Sequence, residues 1–337
     1  MTQHTRYESL RGLKGLAIYL IVLFHTIDVE ASGIPLFSLV KDYGNSLGNA
    51  LFFMLSGFLI ASGYRQRVRE RAVSFRAYLL GRVIRLYPLY VLTNVVCLIQ
   101  IGFRGFEIQD IFLVLTMQTM TTLNAYPYNI STWFVCAVFV CYLLHFLLAR
   151  FTRTDGQYAA IAAVLAGLGL ILFRLRLQLP YLYSFSGNSY LCFFTGCLLN
   201  TIFIHSQHHK PRIRSGLSLA MLVAVPLLIL TGWISPLQWL LRCYQLTLCP
   251  FLILLALDSQ LLRGLLTRRP VLWLGDISTS VFYWHISLYW LLQGPLLSGP
   301  LPYMAGYALY LLAVVGASAV SYYLIERNVN RLRQYIR

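Results

Sequence analysis

The sequence predicts an all-α integral membrane protein of about ten transmembrane helices, with N- and C-termini both cytoplasmic. Three observations carry this. The 337 residues are 58% hydrophobic and 11% charged, whereas a soluble domain carries about 25% charged residues and has too little polar surface to hide so much apolar area. Apolar runs long enough to cross about 30 Å of hydrocarbon recur from end to end. The basic residues fall on alternate connections, 22 of the 27 Lys and Arg lying on the side of the termini, as the positive-inside rule requires. The runs are continuous rather than alternating, which argues against a β-barrel. The formal charge of +16 sits between apolar runs instead of along one basic face, so nucleic acid is not an expected partner. Residues 1–337 read as a single polytopic domain, with no appended soluble domain and no internal repeat.

The first span, at about 13–31, carries Lys14 near its start and His25 deep inside. Eleven positions separate them, which is three helical turns plus about 20°, so both side chains share one face. The rise between them is about 16 Å, half a hydrocarbon core. A titratable group at that depth is costly unless it faces protein or water, and so marks function. Asp28 follows on the same face, where it can orient the imidazole. Taken alone, Lys14 reads equally well as a flank charge, His25 as a satisfied interior histidine and Asp28 as an outer-edge residue. The basic flank and Val29-Glu30-Ala31 mimic a secretory signal, but His25 interrupts its apolar core, so the segment is expected to stay as a span.

An outer loop with Gly33, Pro35 and Gly44 leads to the second span, about 46–64, which holds Phe52-Phe53-Met-Leu-Ser56-Gly57-Phe58. Gly57 and Ala61 form a small-residue pair that lets another helix approach. Residues 74–86 predict an amphipathic interfacial helix. Its Arg82 and Arg85 share a face, either anchoring the helix at the cytoplasmic surface or clamping phosphate. The third span is about 87–102, and an amphipathic piece at 108–121 is too short and polar to cross. Further spans follow at about 131–150, 157–173, 188–205, 216–233 and 238–257, with Arg174, Arg176 and Arg242 near outer ends. The ninth begins at Gly275, with Asp276 as its N-cap, and contains His285; the tenth covers about 303–325. His205-Ser-Gln-His208-His209 has the composition of a metal tract but no carboxylate or cysteine beside it, and none of the seven cysteines forms a C-x-x-C pair. Neither a metal nor a disulfide framework is expected.

Five stretches, in order, resemble one family. They are Arg6-x-Glu8-x-Leu10-Arg11-Gly12 with Lys14-x10-His25; Phe52-Phe53-x-x-Ser56-Gly57-Phe58; Arg82-x-x-Arg85-Leu86-x-Pro88; Gly275-x-Ile277-Ser278 continuing to His285-x-x-Leu288; and Ile325-Glu326-Arg327, where Asn328 stands in place of the usual proline. Ser131-Thr-Trp133-Phe is similar to a sixth, the tryptophan-bearing fourth helix. The chain thus resembles acyltransferase family 3. The resemblance implies transfer of an acyl group, usually acetyl from acetyl-CoA, to a hydroxyl of a cell-surface or lipid-linked glycan, in a bacterial-type inner (plasma) membrane. The implied partners are acetyl-CoA, the saccharide acceptor and membrane lipid, with no metal.

The residues suit that chemistry. A coenzyme A thioester has a phosphorylated head for cytoplasmic arginines and a thin uncharged arm that enters a tunnel without burying charge. His25 is the expected general base or transient acetyl carrier, Lys14 a fixed positive charge near the thioester or phosphates, Asp28 the holder of the imidazole tautomer, and His285 the completing group from helix nine. Arg11, Lys14, Ser56, Arg82 and Arg85 are the expected donor-binding residues. The competing reading is a proton-coupled transporter of a small or lipid-linked substrate, against which stands the lack of inverted repeats or paired broken helices.

Overall fold

In hydrocarbon, a backbone amide finds a partner only within its own helix or a closed barrel. The computed structural model accordingly turns nearly every apolar run into helix; it describes residues 3–118, 128–175, 177–179, 181–206 and 238–332. The long helices are α1 (Gln3–Thr26), α3 (Leu36–Arg69), α4 (Phe75–Gln100), α6 (Trp133–Phe151), α7 (Asp155–Leu175), α8 (Ser184–Ser206), α9 (Gln238–Asp258), α11 (Arg269–Leu292) and α12 (Tyr303–Ser321). Short helices α2 (Val29–Ser32), α5 (Ile108–Leu115), α10 (Gln260–Leu266) and α13 (Arg327–Leu332) lie between or after them, with a two-stranded hairpin, β1 (Gln178–Leu179) and β2 (Leu182–Tyr183), ahead of α8. Among the described residues seven helices are long and apolar enough to cross a membrane, or eight if α9 and α10, bent by 91° at their junction, form one span. Helix α11 is not in that set. Its Asp276, Ser278, Thr279, Ser280, His285 and Ser287 lower its apolarity, and most of them are buried against protein. The span expected at about 216–233, with Arg176, His208 and His209, lies outside the described residues.

Several boundaries differ from expectation. Residues 74–86 and 87–102 form the one helix α4, which starts where Ser74 Oγ accepts from the Ala77 amide at 3.2 Å and runs on through Pro88. Gly44 belongs to α3 and not to the preceding loop. A Cβ there would lie 2.9 Å from the Leu20 carbonyl oxygen, so the glycine lets α3 continue outward along α1. Asp276 is not an N-cap, because α11 starts at Arg269, where Pro270 favours a first turn. Residues 108–115 form a short helix closed by a Glu107–Asp110 capping box, too short to cross.

Helix α1 lies between α3 and α11. It runs parallel to α11: Arg11 meets Asp276, Lys14 meets Thr279 and His25 meets His285, in rising order along both. Two glycines set this spacing. A Cβ built on Gly15 would be 2.5 Å from the Gly275 nitrogen, and one on Gly275 would be 2.2 Å from the Arg11 carbonyl oxygen. Gly57 does the same for α3 and α8, where a Cβ would fall 1.9 Å from the Phe193 carbonyl oxygen. The expected close approach at Gly57 is therefore a contact with α8.

Candidate active site

Toward the N-terminal end of the α1–α11 pair, Lys14 is half-buried and its Nζ donates to Thr279 Oγ1 at 3.1 Å. The ammonium also stands 5.2 Å from the centroid of the Phe52 ring, a cation–π distance. Arg11 pairs with Asp276 at 3.4 Å, both partly exposed at the rim. Glu326 is buried, accepts a hydrogen bond from Ser280 Oγ, and lies within electrostatic reach of Lys14 and Arg85. It reaches this place through the wide π turn Tyr322–Glu326, which leaves Tyr323 and Leu324 outside and turns Glu326 inward.

Arg82, on α4, is buried in a cage of tyrosines. Its guanidinium carbon lies 4.6 Å from the Tyr64 ring centroid, 5.6 Å from Tyr142 and 5.7 Å from Tyr78, and Nη2 donates to the Tyr64 hydroxyl at 2.7 Å. Stacking fixes the plane of the fork, yet Arg82 Nε is buried with no hydrogen-bond partner among the described residues. Arg82 and Arg85 line a cleft of about 280 Å³ together with Lys14, Ser56 and Thr279.

The far end of this cleft is aromatic. Phe52 from α3, Phe134 from α6 and Phe282 from α11 all line it and are all buried. Their ring centroids are 5.8 Å (Phe52–Phe134), 6.2 Å (Phe52–Phe282) and 5.0 Å (Phe134–Phe282) apart, so the three rings close into a floor. Neither histidine lines the cleft. Both stand beyond the floor: the His285 ring is 5.9 Å from Phe282 and 5.5 Å from the His25 ring.

His285 is fully buried, with Nδ1 2.8 Å from the Phe282 carbonyl oxygen. A carbonyl only accepts, so Nδ1 carries the hydrogen and Nε2 presents a lone pair. That Nε2 is buried and has no partner among the described residues. The Tyr310 hydroxyl donates to the His285 carbonyl at 2.9 Å and steadies the backbone there. His25 is half-buried and packs edge-on against Phe24 at 4.9 Å. Chemically, the arrangement offers cationic groups lining a cleft and, just past its aromatic end, the uncompensated lone pair of His285 Nε2 with the His25 ring beside it.

A family model of the acyltransferase domain (Acyl_transf_3) matches residues 7–325. The chain belongs to acyltransferase family 3. "Protein 2 in picA locus" from Rhizobium radiobacter is 35% identical over 88 residues, 26% of this chain. The match spans 41% of the length of that relative. No solved structure matches the chain.

In this membrane acyltransferase the structure gathers Lys14, Ser56, Arg82 and Arg85 around one cleft and sets His25 against His285. Two expected site residues stand apart. Arg11 does not line the cleft but ties α1 to α11 through Asp276. Asp28 makes no hydrogen bond to His25; its carboxylate caps α2 by accepting from the Ala31 amide at 3.0 Å, and its own amide donates to the Tyr303 hydroxyl at 2.6 Å. The chain turns away after Thr26, so the shared helical face expected for Asp28 ends before it. His205 Nε2 is 3.8 Å from Asp155, which also pairs with Arg69 at 2.8 Å, so the carboxylate that the tract lacks in sequence comes from α7 in space. The cleft and its surroundings are also built from residues with no local signal. Thr279, Glu326, the tyrosine cage and the phenylalanine floor all look, in sequence, like ordinary lining of a membrane helix.

Proposed function

We propose that this acyltransferase takes acetyl from cytoplasmic acetyl-CoA and delivers it to a hydroxyl of a cell-surface or lipid-linked glycan, as a multi-pass protein of a bacterial-type plasma membrane. The observation that carries the reading is the cleft with caged Arg82 at one end and the His25–His285 pair past the other. A buried arginine with an unpartnered Nε suits an incoming phosphate oxygen, the fork being already desolvated and held in plane. Arg85 adds a second cation on the same wall. Family membership supports acyl transfer, and the charged mouth supports a phosphorylated donor.

The chemistry follows from where the groups stand. Lys14, steadied by Thr279, supplies positive charge for the oxygen of the polarised thioester carbonyl. His25, the more accessible imidazole, receives the acceptor hydroxyl. The hydroxyl oxygen bonds to the acetyl carbon as the carbon–sulfur bond breaks. The hydroxyl proton passes to an imidazole lone pair and from there to the departing thiolate. His285, with its tautomer set by the Phe282 carbonyl, is the second acceptor in this relay.

The ten-span topology with cytoplasmic termini is part of the proposal. Gln245 donates to the Ser46 carbonyl at 2.6 Å, so α9 starts beside the start of α3. Helix α8 ends at the other face, where Thr201 accepts from Arg65 at 2.7 Å. The two contacts therefore put the C-terminal end of α8 and the N-terminal half of α9 toward opposite ends of α3. Reporters fused after Arg337 or inserted near Arg69 should read cytoplasmic, and one near Gly33 external. The activity test is incubation of the purified protein with acetyl-labelled acetyl-CoA, and mass spectrometry of surface glycans with and without the gene. Release of labelled acetyl together with loss of a glycan ester in the deletion supports the reading. A chain that neither binds nor turns over acetyl-CoA overturns it.

A further inference from the structure

We infer that the Phe52–Phe134–Phe282 floor is a ruler for the acyl group: it admits a two-carbon acyl chain and rejects longer ones. This rests on the donor reading above and adds which thioesters the site accepts. A thioester threaded from a phosphate-binding mouth arrives with sulfur trailing and its acyl carbons leading. Every added methylene therefore lies ahead of the carbonyl, at the inner end of the cleft. That end is where three buried rings from three helices stand 5.0–6.2 Å apart, centroid to centroid. Nothing polar separates them, and the next ring beyond Phe282 is His285 at 5.9 Å. Extra carbons find no free volume unless a ring is displaced into its neighbours.

The same floor explains why the cleft stops short of the histidines. An acetyl group resting on Phe282 is one side chain away from His285, so a small ring movement brings carbonyl and imidazole together. A butyryl group must push the same ring further, against Phe134 and Phe52. In apolar pockets one methylene changes selectivity by about 10–200-fold, so the floor separates acetyl from butyryl without any polar contact.

The test compares the detergent-solubilised full-length protein with Phe282→Ala, Phe134→Ala and the gentler Phe134→Leu. Affinities for coenzyme A, acetyl-CoA, butyryl-CoA and hexanoyl-CoA are measured by calorimetry, alongside thioester hydrolysis. The wild type should bind butyryl-CoA at least about 10-fold more weakly than acetyl-CoA. The alanine variants should close that gap, and Phe134→Leu should close part of it, each read as the ratio of butyryl-CoA to acetyl-CoA affinity, in which any shared loss of coenzyme A binding cancels. Phe134 is the cleaner position, since no contact with either histidine involves it. A wild type that binds acetyl- and butyryl-CoA equally overturns the ruler and leaves the donor reading standing. So does a variant set whose hydrolysis rises while its acyl preference stays fixed, which would make the floor a water seal only. A wild type that binds neither coenzyme A nor any thioester overturns both.

Discussion

The two ends of the α1–α11 pair are built by the same two helices and treat polar groups in opposite ways. At the N-terminal end three charges carried by or packed against the pair have partners: Arg11 has Asp276, Lys14 has Thr279, and Glu326 has Ser280. At the C-terminal end the two imidazole rings stand 5.5 Å apart and His285 Nε2 has no partner among the described residues. Burying an unsatisfied acceptor typically costs about 1–3 kcal/mol. A fold tolerates that where the lone pair is needed. The N-terminal end thus keeps charge fixed in place, and the C-terminal end keeps an imidazole lone pair vacant. Three phenylalanines hold the two apart.

The sharpest way to break this contrast is His25→Gln. An amide forms hydrogen bonds but takes up no proton, so turnover should fall about 10²–10⁴-fold with donor affinity unchanged. Single-turnover acetyl transfer beside a coenzyme A titration measures both. His285→Gln should fall comparably, and the double variant little further, because the pair works as one unit. Next in size is Gly275→Val, which drives a side chain into the Arg11 backbone and parts both ends at once. It should cost roughly 1–3 kcal/mol or more, read as a lowered melting temperature in detergent together with lost activity. Arg82→Lys keeps the charge but gives up the fork and the stack on three tyrosines. Donor KM should rise about tenfold with kcat nearly intact, and added salt should weaken wild-type binding as well. The smallest effect should be that of Asp28→Ala. Losing the α2 cap costs about 0.5–2 kcal/mol of local stability, and the transfer rate should stay within about twofold. A large loss of rate there would restore Asp28 as the orienter of His25.

Helical periodicity made the inner and outer poles legible, because Lys14 and His25 are conspicuous in an apolar run and eleven positions keep them on one face. The ordered motifs made the family legible. What lay between the poles did not show, for physical reasons. Phe52, Phe134 and Phe282 are one chemical type among twenty phenylalanines, and only tertiary packing brings these three rings together. Glu326 sits where membrane helices usually carry an interface charge, and a π turn, which has no simple sequence mark, makes it buried. The same limit misplaced Asp276 and Asp28. Each has a side chain suited to capping, but Pro270 started α11 earlier and the chain bend after Thr26 gave Asp28 a different helix to cap.

The parallel pairing of α1 with α11 also sets a clock on biosynthesis. Lys14 and Thr279 are separated by 265 residues. Ribosomes add about 5–20 residues per second, so the first helix waits in the bilayer on the order of ten to fifty seconds for its permanent neighbour. Throughout that interval His25 has no His285 beside it and the cleft has no Phe282 or Thr279 on its wall. A nascent or truncated chain that stops short of α11 therefore has neither the imidazole that stands against His25 nor the α11 wall of the cleft. The last helices to be translated complete the surroundings of the first one.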